Sequence, residues 1–445
     1  MQVNLLHAQQ DAVRKLTGAG GLENAAIGIS VKEVATGKVV AEYQPNVSLH
    51  PASVTKLIPT ALALKLKGEG YRYGTNVYYT GAIRNGVLEG NVVVEPAGDP
   101  TPDSKYFPEP GFVRGVTEAL KKSGVRSVQG GILVDGKDTE AVPGSWPWED
   151  VSNYYGAQHH LFNYRDNSYT IEFKSGEAGK PVTLVSVTPK QPGVRFENLV
   201  TASAKNGDDA WIFGGPYSGV MCVKGTIPAR RSSFQIRGAM HRPYACFAEE
   251  LAELLRAAGV PVRGEKLTSA GKQLLYSHVS PPLKEIVYHT NKSSVNLFAE
   301  ALGTLVAGED RENGLKKLMQ EWGLDVSGVI LKDACGLSHL NAVPAAVFTN
   351  LLIKAQKELG AVFVQSLPVA GVDGSLNAYV RDHALLKNNL KAKTGSFAGV
   401  RCLSGYVKNS SGQLLAFTVL INNYTCDSSR LYAAVGTFLS SLAEG

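Results

Sequence analysis

The two ends of the chain share a pattern of apolar positions that its middle lacks. Residues 4–17 carry apolar side chains at close to helical spacing, and residues 26–43 are typical of a β-hairpin closed by the turn A-T-G-K. A further helix is predicted from near Ser53 to about Lys67, with apolar residues on one face. The chain therefore begins with a helix, a hairpin and a second helix.

The C-terminal part continues this mixture of helices and strands. Residues 281–322 and 343–359 have helical spacing. Three apolar runs then predict strands, namely L-K-A-K-T-G, V-R-C-L-S-G-Y-V and L-L-A-F-T-V-L-I. Residues 428–443 predict a closing amphipathic helix.

The middle of the chain is rich in short β-like runs separated by Gly/Pro turns, with a helix at 244–258 that ends at Gly259. These patterns predict an α/β (α+β) fold. Its main domain would combine residues 1–74 with 271–445, and a β-rich inserted region of one or two domains would occupy 75–270. We expect two subdomains in that insertion.

Composition narrows the class of protein. Of the 445 residues, 44% are apolar and 19% charged, which allows a sizeable core and disfavours both disorder and a coiled coil. The net charge is +6 and the basic residues are scattered, so we expect no nucleic-acid partner. The five cysteines form no C-x-x-C pair and no H-E-x-x-H occurs, so we expect no metal and no cofactor. The sequence leaves open whether any of the cysteines form disulfides.

Targeting signals are absent from the sequence. No apolar run approaches the roughly eighteen residues of a membrane span, and the start M-Q-V-N-L-L-H lacks the pattern of a signal peptide. Either the protein is cytoplasmic or the sequence begins after a removed signal.

Ser53-Val54-Thr55-Lys56 is an S-x-x-K sequence at a predicted helix start. Side chains at i and i+3 share a helix face, so Lys56 can reach the Ser53 hydroxyl. A serine hydroxyl needs an adjacent base, and a lysine can serve when burial or another cation lowers its pKa. The pattern alone is weak, since Ser269-Ala270-Gly271-Lys272 also matches and a capping serine beside a solvated lysine is the commoner interpretation.

Two further patterns select among these matches. They are S-x-N, at Ser294-Val295-Asn296 and Ser375-Leu376-Asn377, and K-[S/T]-G, at Lys122, Lys174 and Lys393. If the order is S-x-x-K, S-x-N, K-[S/T]-G, only Lys393 can close the set. Ser294 precedes an apolar helical face, whereas Ser375 and Ser269 lie in turn-like stretches. We therefore predict that Ser53, Ser294 and Lys393 act together.

With these motifs the sequence resembles the class C low-molecular-mass penicillin-binding proteins, the D-alanyl-D-alanine carboxypeptidase/endopeptidase family. The blocks P-A-S-V-T-K-L, N-K-S-S-V-N-L-F-A-E, L-P-V-A-G-V-D-G-S-L and K-T-G-S-F-A-G-V-R-C-L-S-G-Y-V are similar to that family's, in its order and over nearly the whole chain. Class A and class C β-lactamases have nothing like the spacing of 241 positions from Ser53 to Ser294. The resemblance implies a penicillin-recognising, transpeptidase-like domain whose antiparallel sheet is flanked by helices.

The resemblance also implies a role for each motif residue. Ser53 would be acylated by the penultimate D-Ala carbonyl of a peptidoglycan stem peptide, releasing the terminal D-Ala or cleaving a cross-link, and β-lactam antibiotics would acylate it covalently. Lys56 would be the base, and Ser294 with Lys393 would pass the proton to the leaving amine. The backbone N–H groups of Ser53 and Ser396 would form the oxyanion hole. Substrate contacts would come from Asn296, Thr394, Gly395 and Ser396.

Four more positions are implied as substrate contacts. Trp146 and Asp150 lie in W-P-W-E-D, which is similar to the insertion segment that meets the substrate side chain; a plain surface loop is an equal alternative. Phe397 directly follows K-T-G-S. Its side chain is expected either to line the same substrate pocket or to lie in the core. Leu337 lies in D-A-C-G-L-S-H.

Three residues depart from expectation. Cys335 and His339 replace a serine and an arginine of the family's usual D-G-S-G-L-S-R, which leaves the substrate side-chain preference open. Pro59 is expected inside the helix that presents Ser53, where a proline removes one backbone hydrogen bond and can kink the helix.

Two other functions stay open, a serine β-lactamase or esterase with the same motifs and a catalytically silent wall-binding protein of the same fold. The long insertion argues against the first and the intact motifs against the second. The resemblance implies a periplasmic or extracellular location, which requires that a signal has been removed. Because the chain ends at the closing helix, we expect loose membrane association at most.

Overall fold

A computed structural model describes residues 2–108, 111–136, 142–267 and 271–445. The chain forms two compact units. The split unit combines Met1–Tyr71 with Pro282–Gly445, and the inserted unit is Arg72–Pro281. The second boundary lies after the expected residue 270 because a strand at Lys272–Val279 pairs with one at Gly74–Thr80, inside the inserted unit.

The first part of the split unit holds the predicted helices and hairpin. Its elements are α1 (Gln2–Thr17), β1 (Ala26–Glu33), β2 (Val39–Tyr43), β3 (Ser48–Leu49) and α2 (Leu57–Lys67). A 3₁₀ turn at Ala52–Lys56 precedes α2, so Ser53 lies on that tighter turn. Pro59 is the third residue of α2 rather than an interior one. The first N–H groups of a helix have no partner within it, so a proline is tolerated there.

The inserted unit consists of short strands and, among its described residues, three helices. In chain order they are β4 (Gly74–Thr80), β5 (Ala82–Arg84), β6 (Val87–Glu89), β7 (Val92–Glu95), α3 (Phe112–Lys122), β8 (Ser127–Val128), β9 (Ile132–Val134), α4 (Trp148–Val151), β10 (Ser168–Lys174), β11 (Thr183–Thr188), β12 (Arg195–Ser203), β13 (Asp209–Phe213), β14 (Val220–Pro228), β15 (Phe234–Ala239), α5 (Pro243–Ala257) and β16 (Lys272–Val279). They form four small sheets, β16-β4-β7-β9, β5-β6-β8, β11-β10-β15 and β12-β14-β13. One cluster of buried side chains runs from Val77 to Val260 through the unit. The division into two subdomains stays a prediction.

The second part of the split unit begins with helices and ends with the main strands. Its elements are α6 (Leu283–Lys292), α7 (Asn296–Ala307), α8 (Arg311–Glu321), β17 (Val343–Pro344), α9 (Ala345–Glu358), α10 (Ala361–Ser366), β18 (Lys391–Phe397), β19 (Val400–Lys408), β20 (Leu414–Asn422) and α11 (Ser428–Glu444). The three predicted strands and the closing helix are all present. Across the described part of the chain, none of the helices is both long and apolar enough to cross a bilayer.

A five-stranded antiparallel sheet, in the order β18-β19-β20-β1-β2, forms the centre of the split unit. Side chains alternate between its faces. Ile29 belongs to the core cluster that includes residues of α1 and α11. The next residue, Ser30, accepts a hydrogen bond through its carbonyl oxygen from Thr349 of α9 on the other face. The predicted α/β class, with an antiparallel sheet flanked by helices, is confirmed.

Candidate active site

Ser53 follows a residue with an unusual backbone conformation. Ala52 is fully buried and has φ 47°, in the left-handed region that non-glycine residues rarely adopt. Such residues persist only where their surroundings hold them in place, and they are concentrated at functional sites. Here Gly336 lies against the Ala52 carbonyl, since a Cβ at position 336 would be 1.9 Å from that oxygen. The half-buried Ser53 is therefore fixed at the start of the 3₁₀ turn.

Lys56 reaches Ser53 as the spacing predicts. Its Nζ donates hydrogen bonds to Ser53 Oγ at 2.8 Å and to the carbonyl oxygen of Cys335 at 2.6 Å. The side chain is fully buried, and this burial lowers the pKa of the amine from its ordinary value. Cys335, Asp333 and Glu300 act in the opposite direction on that pKa. The result is a lysine next to a serine hydroxyl in a dry environment.

The loop that holds Lys56 is organised by two buried carboxylates that the sequence analysis missed. Asp333 accepts hydrogen bonds from the backbone N–H groups of Gly336 at 2.7 Å and Ser338 at 2.6 Å. Glu300 Oε1 accepts from the N–H groups of Ala334 and Cys335, each at 2.8 Å. The sequence did contain a signal for Glu300, because this charged residue interrupts the apolar run L-F-A-E-A-L of the predicted helix.

The donor set around this loop does not call for a metal. Glu300, Asp333 and Cys335 bring two carboxylate oxygens and a thiol within 4.8 Å of one another. The carboxylates are already engaged by backbone N–H groups, and Arg311 lies 2.6 Å from Glu300 Oε2. Burial raises the pKa of the Cys335 thiol well above its usual value, so the sulfur is held as a neutral thiol rather than a metal-binding thiolate.

A second serine–lysine pair joins the other two motifs. Lys393 Nζ donates to Ser294 Oγ at 2.9 Å and to the Thr394 carbonyl oxygen at 2.8 Å. Lys393 is almost fully buried, and burial followed by the charge of Lys56 lowers the pKa of its amine well below the ordinary value. Ser294 has φ 55°, so its backbone is also in the left-handed region. Asn296 is half-buried at the start of α7.

The K-T-G-S sequence lies on β18, an edge strand of the main sheet. Gly395 lets this strand approach the serine segment, because a Cβ there would lie 2.5 Å from the Pro51 carbonyl oxygen and 3.0 Å from the Ser53 nitrogen. Thr394 is half-buried and Ser396 is exposed. The edge strand therefore runs beside the nucleophile with polar side chains accessible to solvent.

Three rings lie at the end of β18. His50 stacks on Phe397 with ring centroids 4.9 Å apart, and His339 meets Phe397 edge-on at 4.5 Å. Burial lowers the pKa of His50 to about 4. Phe397 is half-buried, whereas Leu337 is buried. Sequence reasoning missed His50.

The remaining candidates belong to other segments of the chain. Trp146 and Asp150 belong to the inserted unit, where both are buried and Asp150 accepts a hydrogen bond from the Tyr155 hydroxyl at 2.8 Å; their substrate contacts stay a prediction. Ser375 is exposed on a 3₁₀ turn. Ser269 and Ala270, of the second S-x-x-K match, lie outside the described residues.

Known proteins of similar sequence and structure point to one family. A family model described as the D-Ala-D-Ala carboxypeptidase 3 (S13) family matches residues 9–441. The chain is 26% identical to D-alanyl-D-alanine carboxypeptidase DacB of Haemophilus influenzae, covering 91% of this chain and 86% of that protein. It is 29% identical to the D-alanyl-D-alanine carboxypeptidase of Actinomadura sp. (strain R39), covering 91% and 79%.

The fold matches a crystal structure of penicillin binding protein 4 from Haemophilus influenzae with a TM-score of 0.81. The identity is 24%, over 98% of this chain and 99% of that one. Another crystal structure of that protein holds a β-lactam. Because the family model spans nearly the whole chain, the protein belongs to the D-Ala-D-Ala carboxypeptidase 3 (S13) family and is a serine peptidase.

Proposed function

We propose that the protein hydrolyses the D-Ala-D-Ala end of peptidoglycan stem peptides through an acyl-enzyme on Ser53. The observation that carries this proposal is the 2.8 Å hydrogen bond between Ser53 Oγ and the fully buried amine of Lys56. A serine becomes a useful nucleophile when a base lies within hydrogen-bond reach. Burial lowers the pKa of that amine and so favours its neutral form, which can accept the proton.

Acylation then follows from the positions of the four side chains. Ser53 Oγ attacks the carbonyl carbon of the penultimate D-Ala while its proton moves to Lys56. The C–N bond breaks as the proton held by Lys56 passes through the Ser294 hydroxyl to the leaving amine, so that Lys56 is neutral again and Ser294 remains a hydroxyl. Lys393 donates a hydrogen bond to Ser294 Oγ at 2.9 Å and so orients that hydroxyl. Water then hydrolyses the ester and restores Ser53.

Substrate binding uses the free side of β18. An extended peptide can add to an exposed sheet edge, and β18 is an edge strand that passes beside the Ser53 nitrogen. We assign the substrate carboxylate to Thr394 and Ser396, and the substrate amide to Asn296. The N–H groups of Ser53 and Ser396 form the oxyanion hole, and removal of one such donor typically costs about 10²–10³ in kcat.

The same chemistry supports a DD-endopeptidase reaction on cross-links, because only the amine that leaves is different. It also supports acylation by β-lactams, whose ring carbonyl takes the place of the D-Ala carbonyl. Peptidoglycan lies outside the cytoplasmic membrane, so we place the enzyme in the periplasm or at the cell surface.

The first test is intact-protein mass spectrometry after incubation with benzylpenicillin. We expect a one-to-one adduct on the wild type and on Ser375→Ala, a matched serine variant from the unused S-x-N match, and none on Ser53→Ala. In parallel, diacetyl-L-Lys-D-Ala-D-Ala should release D-Ala with the wild type and with Ser375→Ala, and it should release none with Ser53→Ala.

Other outcomes would contradict the proposal in different ways. Rapid hydrolysis of benzylpenicillin without an adduct would favour a β-lactamase. A protein that forms no adduct, hydrolyses no penicillin and releases no D-Ala would instead be a silent wall-binding protein. An adduct that persists on Ser53→Ala would assign the nucleophile elsewhere.

A further inference from the structure

The inserted unit contains a cavity that none of the motif residues lines. Its volume is about 780 Å³, which is within the range usual for sites that bind a small ligand. The lining residues run from Asp103 to Ala258, with α3 and α5 forming part of the wall. All of them belong to the inserted unit, whereas Ser53, Lys56 and Lys393 belong to the split unit.

The cavity wall includes a backbone stretch that is costly to form. Arg165, Asp166 and Asn167 are consecutive non-glycine residues with φ 53°, 54° and 46°. Each such residue is energetically unfavourable and needs support from its surroundings. That support includes the buried Asp166 carboxylate, which accepts hydrogen bonds from the Ser104 hydroxyl and the Lys105 backbone N–H. The shape of this wall is therefore fixed.

Two cations at the cavity form no ion pair among the described residues. Burial raises the pKa of the nearby Asp166 carboxylate, and the charges of both cations act against that rise. Arg165 pairs with Glu250 at 2.5 Å, and another lining arginine, Arg114, has a carboxylate partner at 3.1 Å. Among the described residues, Lys105 and Arg237 have no carboxylate oxygen within ion-pair distance of their side-chain nitrogens.

Aromatic rings support these two cations instead. The Arg237 guanidinium lies 3.8 Å from the centroid of the Tyr154 ring, and Lys105 Nζ lies 4.9 Å from that of Tyr106. Partial burial, and then the charge of Arg237, lower the pKa of Lys105, while Asp166 acts in the opposite direction. Lys105 and Arg237 thus line the same cavity wall with Asp166 as a nearby acid of both, and a bound anion would add a further negative charge to this pair of cations.

The rest of the lining indicates what kind of anion fits. Val113, Pro189 and Leu254 add apolar surface to the polar wall. A ligand that suits this lining combines a carboxylate with short aliphatic groups. A peptidoglycan stem peptide has this chemistry, with free carboxylates and alanine methyl groups, and choosing it rests on the function proposed above.

We propose that this cavity is a second peptide site, in which Lys105 and Arg237 bind a carboxylate of a stem peptide that is not being cleaved. Such a site would hold a strand of peptidoglycan while the enzyme acts on another peptide. Arginine binds a carboxylate through paired N–H donors, and lysine adds a point charge.

The test measures binding of the tripeptide L-Ala-γ-D-Glu-L-Lys by calorimetry. This probe has no D-Ala-D-Ala bond, and the protein is first treated with benzylpenicillin to block Ser53. We expect the tripeptide to bind the treated wild type, and the double variant Lys105→Gln/Arg237→Gln to raise its Kd about tenfold or more. The control Lys180→Gln/Arg263→Gln removes the same charges from exposed positions of the same unit and should leave the Kd unchanged. The single variant Lys105→Gln, at an exposed residue, replaces the double variant if that one fails to fold.

Several results would overturn the proposal. The first is that the tripeptide does not bind the wild type. The second is that the cavity variant and the control have equal Kd values, and the third is that binding is lost once benzylpenicillin has reacted. Displacement of the tripeptide by an equal concentration of inorganic phosphate would indicate a general anion site instead. Failure of the proposed function appears separately, as a missing penicillin adduct, and the comparison of the two double variants does not depend on that adduct.

Discussion

At the scale of single residues, the proposed chemistry depends on two buried lysines. Lys56 and Lys393 are both almost fully buried, and both have a lowered pKa. They differ in their neighbours, because Lys393 is influenced by the charge of Lys56, whereas Lys56 has carboxylates near it. In the proposed mechanism this difference separates the role of Lys56 as the base from that of Lys393, which orients a hydroxyl.

Glu300→Gln should shift the acid limb of acylation to lower pH. The glutamate raises the pKa of Lys56, so neutralising it lowers that pKa and keeps the amine unprotonated further into the acid range. Gln retains an oxygen that can accept from the N–H groups of Ala334 and Cys335. The measurement is the rate of benzylpenicillin acylation against pH, with exposed Glu309→Gln as control. An acid limb that stays in place, or moves to higher pH, would show that Glu300 does not act through Lys56.

Gly395→Ala should slow acylation by about 10²-fold, since a displacement of about 1 Å at an active site can have that effect. The added Cβ would lie 2.5 Å from the Pro51 carbonyl oxygen, so β18 must move away from the serine segment. Gly374→Ala is the matched control, because a Cβ there meets nothing within 4 Å. Benzylpenicillin acylation rates compare the two variants, and equal rates would contradict the close approach.

At the scale of elements, the loop around Cys335 positions Lys56, the proposed base. Asp333 fixes the loop through the N–H groups of Gly336 and Ser338, and the loop presents the Cys335 carbonyl to Lys56. The geometry of the lysine thus depends on the carboxylate that holds this loop.

Asp333→Asn should therefore lower both stability and activity. Replacing one oxygen by an NH₂ group sets a donor against a backbone donor in a buried position, which costs about 1–3 kcal/mol of unfolding free energy. We expect slower acylation as well, because the Cys335 carbonyl moves relative to Lys56. Urea unfolding and acylation rates test this against Asp382→Asn at an exposed site. Full acylation despite lower stability would separate the loop from the chemistry.

The sequence predicted those parts of the fold whose signal lies within one short segment of the chain. Spacing predicted the hairpin at Ala26–Tyr43, the three C-terminal strands and the closing helix, because each has an apolar period of its own. The motif order brought forward Ser53, Lys56, Ser294 and Lys393, although their roles stay proposals. The part played by Glu300 could not be predicted, because it depends on contacts with residues more than thirty positions away. The 3₁₀ turn before α2 was missed for a similar reason, since it is held by Gly336 and Gly395 from other segments.

At the scale of the whole molecule, each unit contains a histidine that disfavours protonation, half-buried His50 in one and buried His241 in the other. Burial lowers the pKa of His50, in the split unit, and of His241, in the inserted unit, to about 4. Between their ordinary pKa of 6.5 and about 4, the unfolded chain binds protons that the folded chain does not. These groups therefore remove stability as the pH falls through that window.

His50→Gln and His241→Gln should each lose less stability than the wild type between pH 7 and about pH 4. Urea unfolding at several pH values gives the comparison, and the difference between variant and wild type cancels the titration of the carboxylates they share. A difference that is independent of pH would show that these histidines do not take up a proton on unfolding.

The chain ends of the split unit lie close enough together to be joined without the inserted unit. Leu283 N–H donates to the Tyr71 carbonyl oxygen at 2.8 Å, so the two chain ends of the split unit meet where the insertion begins and ends. Ends that close together are typical of an inserted domain.

Joining Tyr71 to Pro282 by a short Gly-Ser linker should give a protein that unfolds cooperatively and forms a benzylpenicillin adduct, because all four motif side chains belong to the split unit. The same deletion with Ser53→Ala is the control. Cooperative unfolding without an adduct would show that the inserted unit takes part in the chemistry, and loss of cooperative unfolding would show that the split unit needs the insertion in order to fold.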